Sequence, residues 1–150
     1  MQQDEGRSIG RWISIIHRQF QIYINNAIRQ YGLNSSEYIY LVSLGHNEGV
    51  NQRYLSDQLC IDDALTTRVM KSLERKGYIT RTRSEADKRA YSIRLTEKGA
   101  AIQPVIIDTL NHWTGILSRG MDEAQVDTII RTLQAMSQNA VHETKKGHHG

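Results

Sequence analysis

A chain of 150 residues fits one domain, or one small domain with helical extensions, and is long enough to bury a core without disulfides. With 23% charged and 39% hydrophobic residues it reads as globular, and its single cysteine excludes an intrachain disulfide framework. The net charge is only +3, no apolar run approaches the roughly 18 residues of a membrane span, and the start MQQDEGRSIGRW lacks a signal peptide's basic and apolar stretches, so a cytoplasmic protein is expected.

Ile9, Trp12, Ile13, Ile16, Phe20, Tyr23, Ile24, Ala27 and Tyr31 recur at three- and four-residue steps and predict one long amphipathic helix with Gly32 as its stop. Ile15 and Ile22 lie off that stripe, so this helix has two apolar surfaces, and the second is assigned to another subunit. Asn34 or Ser35 caps a second helix through Leu44, with Glu37 as capping-box partner if Asn34 is the cap. His46 to Gly49 reads as a turn. Asn51 caps a short helix holding Tyr54, Leu55 and Leu59, and Asp62 caps the next, which stops at Gly77.

Tyr78 to Arg83 and Ala90 to Leu95 are β-compatible stretches joined by a polar link, as in a hairpin with an extended loop. Thr96 caps a long helix that contains Pro104, the only proline, and Gly120 ends it. Asp122 caps a last helix, and residues 142–150 read as a flexible tail. The fold class is therefore mainly α with a small β-hairpin wing. A helix-turn-helix followed by a two-stranded hairpin describes a winged helix-turn-helix lobe at 34–99, and the terminal helices at 8–32 and 100–141 are left for another task.

The charge is unevenly spread. From Ala64 to Arg94 nine basic residues face three acidic ones, a surplus of six that leaves the rest of the chain net negative by three. A basic segment on a mildly acidic body is the footprint of a polyanion site. On a helical wheel Leu65, Thr66, Val69, Met70 and Leu73 form a core face, whereas Ala64, Thr67, Arg68, Lys71 and Arg75 form the opposite one. Small residues first and basic ones further along suit a recognition helix at 63–76 in a DNA major groove. Arg68 would pair with guanine, and Lys71 and Arg75 with phosphates. Arg83, Lys88 and Arg89 place arginine in a loop at 80–94 suited to the adjoining minor groove, with Asp87 able to hold the loop. Taken alone, the helix would equally be an ordinary solvated face.

The run LSDQLCIDDALTTRVMKSLERKGYITRTRSEADKRAYSIRLTEKG, residues 55–99, resembles the MarR family of winged helix-turn-helix transcriptional regulators. Carrying the resemblance are Leu55 and Leu59, Thr67-Arg68, Leu73 to Gly77 with Arg81 following, the wing signature Asp87-Lys88-Arg89, and the closing Leu95 to Gly99. The resemblance covers residues 8–141 as a single domain, in which the helices at 8–32 and 100–141 correspond to the dimerisation region, and it implies a homodimeric repressor on a pseudo-palindromic operator in double-stranded DNA. It assigns DNA contacts to residues 66–71, Thr66 among them, and puts Arg89 at the wing tip. Two positions depart from the family pattern: Asp63, where a basic or neutral residue is frequent, and Cys60, where glycine or another small residue is.

Many members of that family respond to small aromatic ligands, which makes Trp12, Ile16, His17, Tyr38 and Trp113 candidates for lining an effector pocket. Core or interface packing is the commoner role for such residues. Cys60, beside the recognition helix, is expected to be buried and inert, oxidation being the less common alternative. The scattered histidines offer no metal spacing, and neither a Gly-rich phosphate loop nor an H-E-x-x-H is present, so no metal, cofactor or catalytic activity is expected. A winged-helix protein-interaction module without an operator is the alternative reading.

Overall fold

The structure, a computed structural model, describes residues 5–45, 49–83, 85–87 and 90–147. Among the described residues six α-helices and three short strands follow in order: α1 Ile9–Ile28, α2 Tyr38–Ser43, β1 Val50–Asn51, α3 Gln52–Leu59, α4 Asp63–Arg75, β2 Ile79–Arg83, β3 Tyr91–Leu95, α5 Glu97–Leu117 and α6 Glu123–Gly147. The expected turn at His46, Asn47 and Glu48 lies outside the described residues. The chain divides into two compact units, one ending at Asn111 and the other spanning His112–Gly150. Among the described residues no helix is long and apolar enough to cross a membrane.

Helix boundaries follow local chemistry. Ser8 accepts the Arg11 N–H to open α1, which a 3-10 turn at Arg29–Tyr31 extends to Gly32. Asn51 and Asp62 cap α3 and α4 through their side chains as the sequence indicates. Asn34 and Glu37 do pair, the Asn34 N–H donating to Glu37 Oε1 at 3.1 Å, but residues 35–37 form a turn and the regular helix α2 begins only at Tyr38. Pro104 sits inside α5, which continues through it as one element. The helix α6 runs to Gly147, so residues 142–147 are helical where a flexible tail was expected. Val141 to Lys145 contain no glycine or proline to stop it.

The sheet has strand order β1-β3-β2, antiparallel throughout, with Ile79 opposite Leu95, Arg81 opposite Ile93 and Val50 also opposite Ile93. Strand β1 was not legible as a strand, because two residues carry no periodicity. The core of the first unit joins Ile24 and Ile28 of α1, Tyr40 and Leu41 of α2, Leu55 of α3, and Val69, Met70 and Leu73 of α4. The sheet adds Ile79 and Ile93, and α5 adds Ile102 and Ile106.

Only the C-terminal half of α1, from Phe20 onward, joins this core, while Ile9, Trp12, Ile13, Ile15, Ile16 and Ile22 stay exposed. In the second unit Asp122 and Gln125 exchange backbone-to-side-chain bonds at 2.9 and 2.8 Å to start α6, a capping box. Leu117, Met121, Ile129, Ile130 and Leu133 are exposed there.

Candidate nucleic-acid interface

Helix α4 is anchored on one side and open on the other. Val69, Met70 and Leu73 are buried. Ala64, Arg68, Lys71 and Arg75 are exposed along the opposite side, as their spacing predicts. Thr67 is half-buried at the crossing with α3. Its hydroxyl donates to the Asp63 carbonyl at 2.9 Å and accepts from Gln52 Nε2 at 2.8 Å, so the hydroxyl proton is already committed. Thr66 does not belong to the open face. It is fully buried, 2.9 Å from the Tyr40 hydroxyl, because its direction on the wheel is nearly opposite that of Ala64, and this corrects its assignment as a DNA contact. Leu65 departs the other way: placed on the core face by the wheel, it is 38% exposed, since it lies in the first turn where Asp62, Asp63 and Ala64 are exposed as well.

The nine basic residues of the segment separate by environment. Lys76 is held by a carboxylate: its ammonium lies 2.8 and 2.9 Å from the two Glu37 oxygens. Glu37 is 1% exposed and also accepts from Ser72 Oγ at 3.0 Å, so α2 and α4 are tied by a buried polar network. Arg81 stacks on the Tyr91 ring, 4.7 Å from its centroid. Its Nε is 3.7 Å from Glu74 Oε2, close enough for attraction and too far for a hydrogen bond. These two cations brace the fold. Arg83 is exposed at the end of β2, its guanidinium 5.8 Å from the same ring, and Arg94 is exposed on β3. Asp87 is exposed in the wing loop, where its carbonyl accepts from the Ala90 N–H at 3.0 Å. Lys88 and Arg89 lie outside the described residues.

The open face of α4 thus stands beside a two-stranded wing, with α3 crossing behind it. A family model described as MarR family matches residues 33–91, the stretch that builds this arrangement. A solved MarR transcriptional regulator from Methanosarcina mazei is 37% identical in sequence and superposes with a TM-score of 0.82, the match covering 89% of this chain and 96% of that one. The chain belongs to the MarR family. It is a winged helix-turn-helix, DNA-binding regulator of transcription. A second MarR-family structure, from Listeria monocytogenes and complexed with a 26mer DNA, is 28% identical with a TM-score of 0.86, covering 94% of this chain and 96% of that one. The HTH-type transcriptional regulator BilQ of Clostridioides difficile is 25% identical over 129 residues, 86% of this chain and 87% of BilQ.

This MarR-family chain carries its two departures in defined surroundings. Asp63 accepts from Ser56 Oγ at 3.0 Å, so its carboxylate is tied back toward α3 and sits at the N-terminus of α4, where negative charge is favoured. Cys60 is exposed and not buried, a correction that follows from its place at the left-handed C-terminal turn of α3.

The residues considered for an effector pocket are dispersed in their roles. Trp12, Ile16 and His17 are exposed on α1, the Trp12 indole donating to the Gly6 carbonyl at 3.0 Å. Tyr38 packs edge-on against Phe20, ring centroids 5.5 Å apart, and burial pushes its phenol above the usual 10.0. Trp113 lies in the second unit and is half-buried there. Sequence reasoning missed the Glu37–Lys76–Ser72 network, because a polar residue in the turn before a short helix gives no sign of partners 35 and 39 positions away.

Proposed function

We propose that this chain is a homodimeric, sequence-specific repressor of transcription. It sets α4 of each subunit in the major groove of a pseudo-palindromic operator and the wing, residues 80–94, in the adjoining minor groove. The observation that carries the reading is the open face Ala64, Arg68, Lys71 and Arg75 on a helix whose other face is locked into the core. Arg68, nearest the N-terminal turn, reads guanine, whereas Lys71 and Arg75 bind phosphate and set register. Arg83 and the loop residues Asp87, Lys88 and Arg89 form the minor-groove arm, with Arg89 at the wing tip as the family resemblance implies. Dimerisation draws support from the exposed apolar residues Ile9, Trp12, Ile13 and Ile16 in the first unit and Ile129, Ile130 and Leu133 in the second, since surfaces of that kind mark protein contacts. A small aromatic effector, met by Trp12, Ile16, His17 and Tyr38 of the first unit, completes the reading as the release step. A chromosomal repressor of this kind works in the cytoplasm.

Selection on random duplexes followed by gel shift tests the function. The wild type is expected to select an inverted repeat. Arg68→Ala should lose about tenfold or more in affinity and relax preference at one base pair per half-site. Arg75→Gln should weaken all sequences alike and lower the salt slope by about one per half-site. No retardation at low salt refutes DNA binding. Retardation blind to sequence would favour a protein-interaction module.

A further inference from the structure

Leu65 is a large apolar side chain set among the exposed residues of α4. The other large apolar side chains of the helix, Val69, Met70 and Leu73, are buried, while Leu65 remains 38% exposed in the first turn. Arg68 follows three residues later on the same side of the helix, and Lys71 and Arg75 continue the basic surface toward the C-terminus. Leucine adds nothing to attraction for phosphate. What it offers is a dry contact, and in the major groove the apolar group on a base edge is the 5-methyl of thymine. The cations around it suit a nucleic acid and oppose an apolar protein face. We propose that Leu65 is a specificity residue that packs on a thymine methyl in each half-site. This rests on the reading of α4 as the recognition helix.

The test uses the full chain and the operator obtained by selection. Each thymine of a half-site is replaced in turn by deoxyuridine, which removes the methyl and keeps the pairing. Wild type is expected to lose about fourfold at one position, the worth of one buried methyl group. Leu65→Ala should show no loss at that position while keeping the wild-type profile elsewhere. Alanine at an exposed helical site preserves the fold, which circular dichroism checks. Leu65→Gln gives a second readout: random-duplex selection should shift from thymine toward adenine at that one position. Superposable deoxyuridine profiles for wild type and Leu65→Ala, or an unchanged selected sequence for Leu65→Gln, overturn the role of Leu65 and leave the proposed function standing. Failure of the wild type to select any operator overturns both.

Discussion

Four described residues hold the left-handed backbone region: Gly32 at φ 71°, Gly77 at 82°, Gly120 at 81°, and Cys60 at 55°. Gly77 and Cys60 close their helices in the same way. The Gly77 N–H bonds the Glu74 carbonyl and the Tyr78 N–H that of Leu73. The Cys60 N–H likewise bonds Asp57 and the Ile61 N–H bonds Ser56. At Gly77 this geometry costs no Cβ clash, whereas at Cys60 the Cβ is opposed by the following carbonyl, roughly 1 kcal/mol of strain, part of which glycine would return as lost backbone freedom. Cys60→Gly should therefore stabilise the protein by about 0.5 kcal/mol, raising Tm by about 1–2 °C, and Cys60→Ala should not. A thermal melt of the three proteins checks it, and equal midpoints would deny the strain. Gly99 is glycine for a different reason: a Cβ there would strike the Tyr78 carbonyl oxygen, so the start of α5 can sit directly on the chain leaving α4.

At the scale of elements, α4 is fixed from several directions. Ser72 and Lys76 bind Glu37 before α2, Thr67 and Asp63 bind Gln52 and Ser56 of α3, and Glu74 faces Arg81 of β2. Behind its end, Lys98 Nζ donates to the Lys76 carbonyl at 2.7 Å, and Thr96 Oγ1 donates to the Gly77 carbonyl at 2.6 Å while accepting the Gly99 N–H. The closing stretch Leu95 to Gly99, which carries the family resemblance, thus has a mechanical task in joining the wing and α5 to the end of α4. Lys76→Met removes the ammonium and leaves the Glu37 carboxylate buried with only the Asn34 N–H and the Ser72 hydroxyl as partners. The cost for a fully buried pair is 3–5 kcal/mol, and with Lys76 one third exposed about 2 kcal/mol is expected, with part recovered by adding Glu37→Gln. Urea unfolding measures both, and a loss under about 0.5 kcal/mol for the single variant would show that the network adds little.

Across the whole molecule, four of the seven tyrosines, Tyr31, Tyr38, Tyr40 and Tyr78, stand in or against the core of the first unit. Burial chiefly raises the phenols of Tyr38, Tyr40 and Tyr78 above 10.0. The Asp63 carboxylate adds to this at Tyr40, where the Thr66 hydrogen bond works against it, and Glu37 adds to it at Tyr78. In the unfolded chain these phenols ionise near the usual value, so above it the unfolded state holds fewer protons than the folded one. Their contribution to stability is complete below about pH 10 and is lost as pH rises through the folded values. The denaturation midpoint is expected to fall between pH 9 and 11, with part of the phenolate absorbance appearing only as the chain unfolds. A midpoint unchanged over that interval, with all seven tyrosines titrating together, would contradict this.

The sequence by itself determined what depends on near neighbours. Helix starts at Asn51, Asp62, Thr96 and Asp122 were legible because a cap and the N–H it accepts lie within three residues, and the stops at Gly32, Gly77 and Gly120 because only glycine takes that backbone without cost. The order of elements and the basic face of α4 followed from periodicity. Tertiary structure decided which members of a face are used. It buried Thr66 against Tyr40, left Leu65 in the open, turned Lys76 and Arg81 inward to Glu37 and Tyr91, and gave β1 its place beside β3. Those outcomes depend on partners brought close by folding, through burial and charge pairing that a one-dimensional pattern does not encode.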